Sequence, residues 1–232
     1  MGIHLTLISF YRNPPGTQHY TKCGERLLRE CKRYGVPHVV EEIPAGGSWL
    51  ENANLKPNFI RRKHKELGPV LWVDVDCPIG GNPCPVAEET LGACDVAVPM
   101  PRIMLRKTRT VDLKKLPEDD MKATVLTSLR IMDFAHAWGD TEGARTLLDD
   151  WCAMSAGPLS KIRGDHRLLQ LAMDRLEAQG KLEWEYLPQS FSQRGPLVKL
   201  RVARGLGSRK VAIQRALRAQ AQIRRNHRRA NK

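Results

Sequence analysis

Short apolar runs alternate along the chain with longer stretches in which apolar residues recur every three or four positions among charges. Residues 3–9 (Ile3, His4, Leu5, Thr6, Leu7, Ile8, Ser9) predict a first strand, ended by Arg12-Asn13-Pro14-Pro15-Gly16. Residues 17–34 carry Leu27, Leu28 and Cys31 at helical spacing, and Gly35 with Pro37 closes that helix. A second strand is expected at 38–43, a glycine loop at 46–48, and one helix over 49–67 that Gly68-Pro69 terminates. Next comes an unbroken apolar run, Val70-Leu71-Trp72-Val73, ending in Asp74-Val75-Asp76, the pattern of a central strand buried on both faces. A further strand is read at 94–98 and helices at 141–154 and 165–179, while 99–120 shows no period. This alternation predicts an α/β fold with an open sheet flanked by helices, in which ligands gather at the carboxyl ends of the strands.

Charge divides the chain in two. Over 232 residues the net charge is +13, and all of it lies between Arg194 and Lys232, where thirteen Lys and Arg meet no acid. The first 193 residues hold 25 basic and 25 acidic side chains. The expected organisation is a balanced globular domain over 1–193 and a basic arm, helical or extended, over 194–232. Such an arm suits a polyanion, and DNA is the expected partner, with Arg209, Lys210, Arg224 and Arg225 among its contacts. An anionic membrane surface is the competing reading, but the arm lacks a strong apolar face. No run of about 18 apolar residues is present, so no membrane span is expected. Six cysteines without a C-x-x-C pair, and an N-terminus without a secretory pattern, point to a cytoplasmic protein with reduced thiols.

Asp74 and Asp76 are the leading chemical candidates. Two carboxylates at the end of an apolar strand suit Mg²⁺ or Mn²⁺, which bind through one or two carboxylates and complete their shell with water and phosphate oxygens. The alternative is a turn cap at Asp76 with a solvated Asp74.

At these residues the chain resembles a family. Gly47-Ser48-Trp49, Asn52, Lys56-x-x-Phe59-Ile60 and Val70-Leu71-Trp72-Val73-Asp74-Val75-Asp76 are similar to the N-terminal half of GT-A glycosyltransferases, especially small phage and bacterial ones. Ala144-Arg145-x-Leu147-Leu148-x-Asp150-Trp151, Asp165-His166-x-Leu168-Leu169 and Leu187-Pro188 continue the likeness, which covers roughly residues 3–193. It implies a Rossmann-like mixed sheet and sugar transfer from a nucleotide-diphosphate sugar, a UDP-sugar, to a hydroxyl. Asp74 and Asp76 would hold the metal and the diphosphate. Ser9, Tyr11 and Arg12 would meet the nucleotide, with Tyr11 stacking on uracil and Arg12 reaching a phosphate. Lys56 would neutralise phosphate or hold Asp74, and Asp165 would serve as general base of an inverting transfer. Each has a plain alternative: a half-buried aromatic, a surface cation, a solvated lysine and a helix N-cap.

Two departures stand out. The family's Gln after the aspartate is His166 here, and residues 187–193 contain no late metal-binding histidine, which leaves His166 or Gln193 as substitutes. Trp49 could wall the acceptor site or plug the core; Trp72 and Trp151 read as core. Joined to the basic arm, the resemblance implies a DNA acceptor such as 5-hydroxymethylcytosine, with Trp49, Arg102, Arg106, Lys107 and Arg109 around the extruded base. A glycan, protein or metabolite acceptor is the alternative within enzymes. A metal-dependent nuclease or a non-catalytic nucleic-acid module is the alternative outside sugar transfer.

Overall fold

The computed structural model describes residues 2–13, 18–44, 49–92, 94–100, 131–161, 165–192 and 195–199. Its elements run β1 (Thr6–Tyr11), α1 (His19–Tyr34), β2 (His38–Glu42), α2 (Trp49–Ala53), α3 (Lys56–Leu67), β3 (Val70–Val73), α4 (Cys84–Leu91) and β4 (Val96–Pro99). After residue 131 come β5 (Ala135–Trp138), α5 (Glu142–Ala156), a 3-10 turn (Pro158–Lys161), α6 (Asp165–Ala178), β6 (Trp184–Leu187), β7 (Phe191–Ser192) and β8 (Val198–Lys199).

Six strands form one sheet in the order β2-β1-β3-β5-β4-β6. All neighbours pair in parallel except β5, which runs antiparallel to both β3 and β4. The order switches sides at β1, so the carboxyl ends of β1 and β3 flank the crevice where such sheets take ligands. The reversed strand adds its amino end to this edge: Asp74 N–H donates to Phe134 O at 2.8 Å, one residue before β5 begins.

Alternate strand residues feed two cores, one on each face. Leu7, Leu71, Val73, Ala97 and Ala135 pack against Cys23, Leu27 and Cys31 of α1 and Ala87 and Leu91 of α4. Ile8, Trp72, Val96, Val98 and Trp138 pack against Phe59 and Ile60 of α3, Leu147 and Trp151 of α5, and Leu168, Leu169 and Met173 of α6. Trp72 and Trp151 are buried, as their spacing implies.

The helix expected over 49–67 is two helices, separated at Asn54-Leu55. Pro57 is the cause: it has no N–H to give to a preceding turn, and it is tolerated only within the first turn of α3, where it stands. The run read as one strand through Asp76 leaves the sheet after Val73. Cys77 N–H closes a turn on Asp74 O at 2.8 Å, which lifts both aspartates onto the rim. Beyond residue 193, Val198-Lys199 pairs with Phe191-Ser192, and Val198 bridges Ile79. The arm from residue 200 onward and the 101–130 segment lie outside the described residues. No helix among the described residues is long and apolar enough to cross a membrane.

All six thiols are buried. Burial pushes Cys31 and Cys84 up to about 12, and Cys94 and Cys152 up to about 11. Since the thiolate is the nucleophile, Ellman's reagent at pH 8 is expected to leave the native protein essentially unlabelled and to titrate six thiols in guanidinium. Rapid native labelling would show that one of these pockets is open.

Candidate functional site

Lys56 opens α3, and its side chain crosses beneath the carboxyl end of β3. Only 6% of the residue is exposed. Its Nζ lies 2.8 Å from Asp165 Oδ2, 3.0 Å from Asp74 Oδ1 and 3.3 Å from Asp133 Oδ2, and it donates to Asp133 O at 3.0 Å. Below it the Trp72 ring centroid stands 5.4 Å away, and Trp72 Nε1 donates to Asp74 Oδ1 at 2.9 Å. A buried ammonium on an indole face, ringed by three carboxylates, is held by charge and cation–π attraction together.

Three acids around one cation leave excess negative charge, and their affinities for protons separate accordingly. Burial raises Asp74 to about 7, and the neighbouring charges of Asp133, Asp76 and Asp165 add to the rise while Lys56 opposes it. Asp165 is also raised, by burial first and then by Asp133, against the pull of Lys56. Burial would raise Asp133 too, but Lys56, His166 and a hydrogen bond from Asp165 hold it below the usual carboxylate range. Lys56 stays charged: burial alone would depress it, and Asp133, Asp165 and Asp74 lift it well above the usual lysine value. His136, buried on β5, is driven down to about 3 by burial and by the charge of Lys56, so it is neutral.

Asp133, Asp165 and His166 present ligand atoms within 4.8 Å of one another, the one such three-residue grouping among the described residues. Carboxylates with one imidazole suit a hard divalent cation such as Mn²⁺ or Mg²⁺. Asp76, partly exposed in the turn after β3, lies outside that grouping. Its charge reaches Asp74, and it acts on Tyr20, whose hydroxyl is raised first by burial and then by Asp76.

The remaining candidates are distributed as follows. Ser9 is buried in β1. Tyr11 lies along α1: a Cβ on Gly24 would stand 2.5 Å from its ring, so only glycine admits this contact. The Tyr11 hydroxyl donates to Glu42 Oε2 at 3.3 Å. Arg12 Nη1 donates to Asn52 Oδ1 at 2.8 Å, tying the loop after β1 to α2. Trp49 begins α2. Arg102, Arg106, Lys107, Arg109, Arg209, Lys210, Arg224 and Arg225 lie outside the described residues, as does Gln193. Asp165 opens α6, and its side chain binds Lys56 while its carbonyl accepts from Trp151 Nε1 at 3.0 Å.

Asp133 is the residue that sequence reasoning missed. Its only signal is an acid just before Phe134-Ala135-His136-Ala137-Trp138, and it matters only once β5 is known to run against β3. On the same edge, a cavity of about 210 Å³ opens at the ends of β4 and β6, lined by Met100, Tyr186, Leu187, Pro188 and Phe191. A larger one of about 830 Å³, between α3 and α5, sits at the opposite edge among exposed pairs such as Arg61–Asp149 and belongs to the surface.

No protein-family model matches the chain, and no curated protein matches it by sequence. Solved structures do. A glycosyltransferase involved in glycosylating the major capsid of PBCV-1 aligns over 91% of this chain and 99% of its own, with TM-score 0.51 at 11% identity. The apo form of the glycosyltransferase GlyE from Streptococcus pneumoniae TIGR4 aligns over 87% of this chain, which spans 55% of GlyE, with TM-score 0.50 at 11% identity. The galactosyltransferase LgtC, in complex with donor and acceptor sugar analogues, aligns over 81% and 75% of the two chains, with TM-score 0.50 at 10% identity. The chain thus has the GT-A fold of these glycosyltransferases.

Replacing Lys56 by Met leaves buried carboxylates without their cation. The expected loss is about 3–5 kcal/mol at pH 8, measured by denaturant unfolding, and less at pH 5, where the carboxylates take up protons. Asp74 holds its proton more tightly folded than unfolded, so its contribution to stability is present in acid and fades as pH rises through about 7. Thermal midpoints of Asp74→Asn and the unaltered protein, compared in metal-free buffer, are therefore expected to shift in favour of the variant between pH 5 and pH 8. A constant difference would contradict the raised value.

Proposed function

We propose that this chain is a metal-assisted glycosyltransferase that moves a sugar from a nucleotide diphosphate, a UDP-sugar, to a hydroxyl acceptor. One observation carries the reading: Asp74, Asp133 and Asp165 converge on Lys56 at the carboxyl edge of a GT-A sheet, with Asp76 and His166 beside them. The glycosyltransferase fold of the structural neighbours supports it.

The donor's diphosphate needs positive charge; Lys56 is buried and its own charge is taken up by the three acids it gathers, and the excess negative charge they keep is what a divalent ion would answer. A divalent ion bound by acids drawn from Asp74, Asp76 and Asp133, with His166, would carry the charge of the departing diphosphate. Asp165 has its proton affinity raised by burial and by Asp133, which suits a base that takes the acceptor hydroxyl's proton as the sugar carbon is attacked. Arg12, anchored to Asn52, closes the nucleotide side, and the apolar cavity at Leu187 and Phe191 is the acceptor side.

For the acceptor we propose a hydroxymethylated pyrimidine in DNA, held through the basic arm. Its support is the run of thirteen cations without an acid from Arg194 to Lys232. A glycan or protein acceptor would leave that run without a role.

The test incubates the protein with Mn²⁺, a panel of nucleotide sugars, and DNA with or without 5-hydroxymethylcytosine, followed by mass analysis of nucleosides. Transfer to the modified base is expected, with Asp76→Ala inactive. Asp165→Asn should turn over about 10²–10⁴-fold more slowly while still binding donor. Replacing Arg209, Lys210, Arg224 and Arg225 together by Gln should weaken DNA use and flatten its salt dependence. Sugar transfer to other acceptors alone would overturn the DNA assignment, and failure to bind any nucleotide diphosphate would overturn the whole.

A further inference from the structure

The turn that carries Asp76 is gripped from outside the sheet. Residues 75–79 leave β3 with one internal bond, Cys77 N–H to Asp74 O. At one end Arg26 Nη2, from α1, donates to Val75 O at 3.2 Å. At the other, Ile79 N–H donates to Glu30 Oε2 at 2.9 Å. Arg26 and Glu30 stand one helical turn apart with Nε and Oε1 separated by 3.6 Å, so a single ion pair on α1 brackets the acidic turn. Beyond it, Gly80 N–H donates to Leu197 O at 3.0 Å, and Ile79 bridges Val198.

An exposed i,i+4 pair adds little to stability and needs no particular neighbour. This pair instead binds two backbone groups that lie outside regular structure, one just before Asp76 and one three residues after it. Either side chain could lie along α1 in water; both are turned to the turn. We propose that Arg26 and Glu30 are positioning residues that hold Asp76 in register with the Lys56 cluster, and that they set the affinity of the site for a metal–nucleotide pair. This rests on the transferase reading. Outer partners that orient a metal ligand typically govern affinity by about 10–100-fold when removed.

The test uses the full-length protein and the probe Mn²⁺ with UDP, titrated calorimetrically at a temperature where circular dichroism shows every variant folded. Hydrogen exchange at the Ile79 amide is read in parallel. Arg26→Met keeps the alkyl stem and removes the cation; it should weaken Mn²⁺–UDP binding by about 10–100-fold. Glu30→Ala should weaken binding and speed exchange at Ile79, whereas Glu30→Gln, which still accepts from that amide, should restore slow exchange and most of the affinity. Binding by Arg26→Met equal to the unaltered chain would overturn the clamp alone. So would equal behaviour of Glu30→Ala and Glu30→Gln, since a merely structural pair does not distinguish them. An unaltered protein that binds no Mn²⁺–UDP would overturn the transferase reading and the clamp with it.

Discussion

The contact between one ammonium and three carboxylates organises this end of the molecule. Asp74 comes from the end of β3, Asp133 from the approach to β5, Asp165 from the start of α6, and Lys56 from the start of α3. Without the cation, three acids drawn this close would repel one another still more strongly and hold their protons more tightly. Without the acids, a lysine could not stay charged at this depth. Each side of the arrangement is the condition for the other, and the chain folds so as to satisfy both.

The cluster also joins the hydrophobic core to the rim. Trp72 packs against Phe10 and Phe59 with ring centroids 5.4 Å and 5.9 Å away, while its indole N–H holds Asp74 and its face lies under Lys56. The residue that reads as core from its spacing is core, and it fixes the geometry of charge above it. Stability and chemistry therefore draw on the same side chain, so core packing here cannot be changed without moving the acids.

Much of this was visible in the chain. The βα alternation, the buried run ending in Asp74-Val75-Asp76, Lys56 before Phe59-Ile60 and the acid opening the last long helix all lie where pattern and resemblance put them. What stayed hidden has physical reasons. Ala135-His136-Ala137-Trp138 has none of the β-branched enrichment that marks a strand, and only its reversed direction brings Asp133 to the site. The helical spacing runs through Pro57 without a break, although proline is tolerated only in a helix's first turn. The packing of the Tyr11 ring on Gly24 is hidden for a similar reason, since it depends on a missing side chain on another element.

The reversed strand β5 has a further consequence for how the protein comes into being. The four members of the cluster are distant along the chain, and the middle of the sheet closes only when β5 slots between β3 and β4. Such long-range pairing pays its entropy before it is rewarded and is slow to nucleate. While the chain is still emerging from a ribosome, Lys56 and Asp74 are present without Asp133 and Asp165, so the cluster can be completed only once the last long helix has been made.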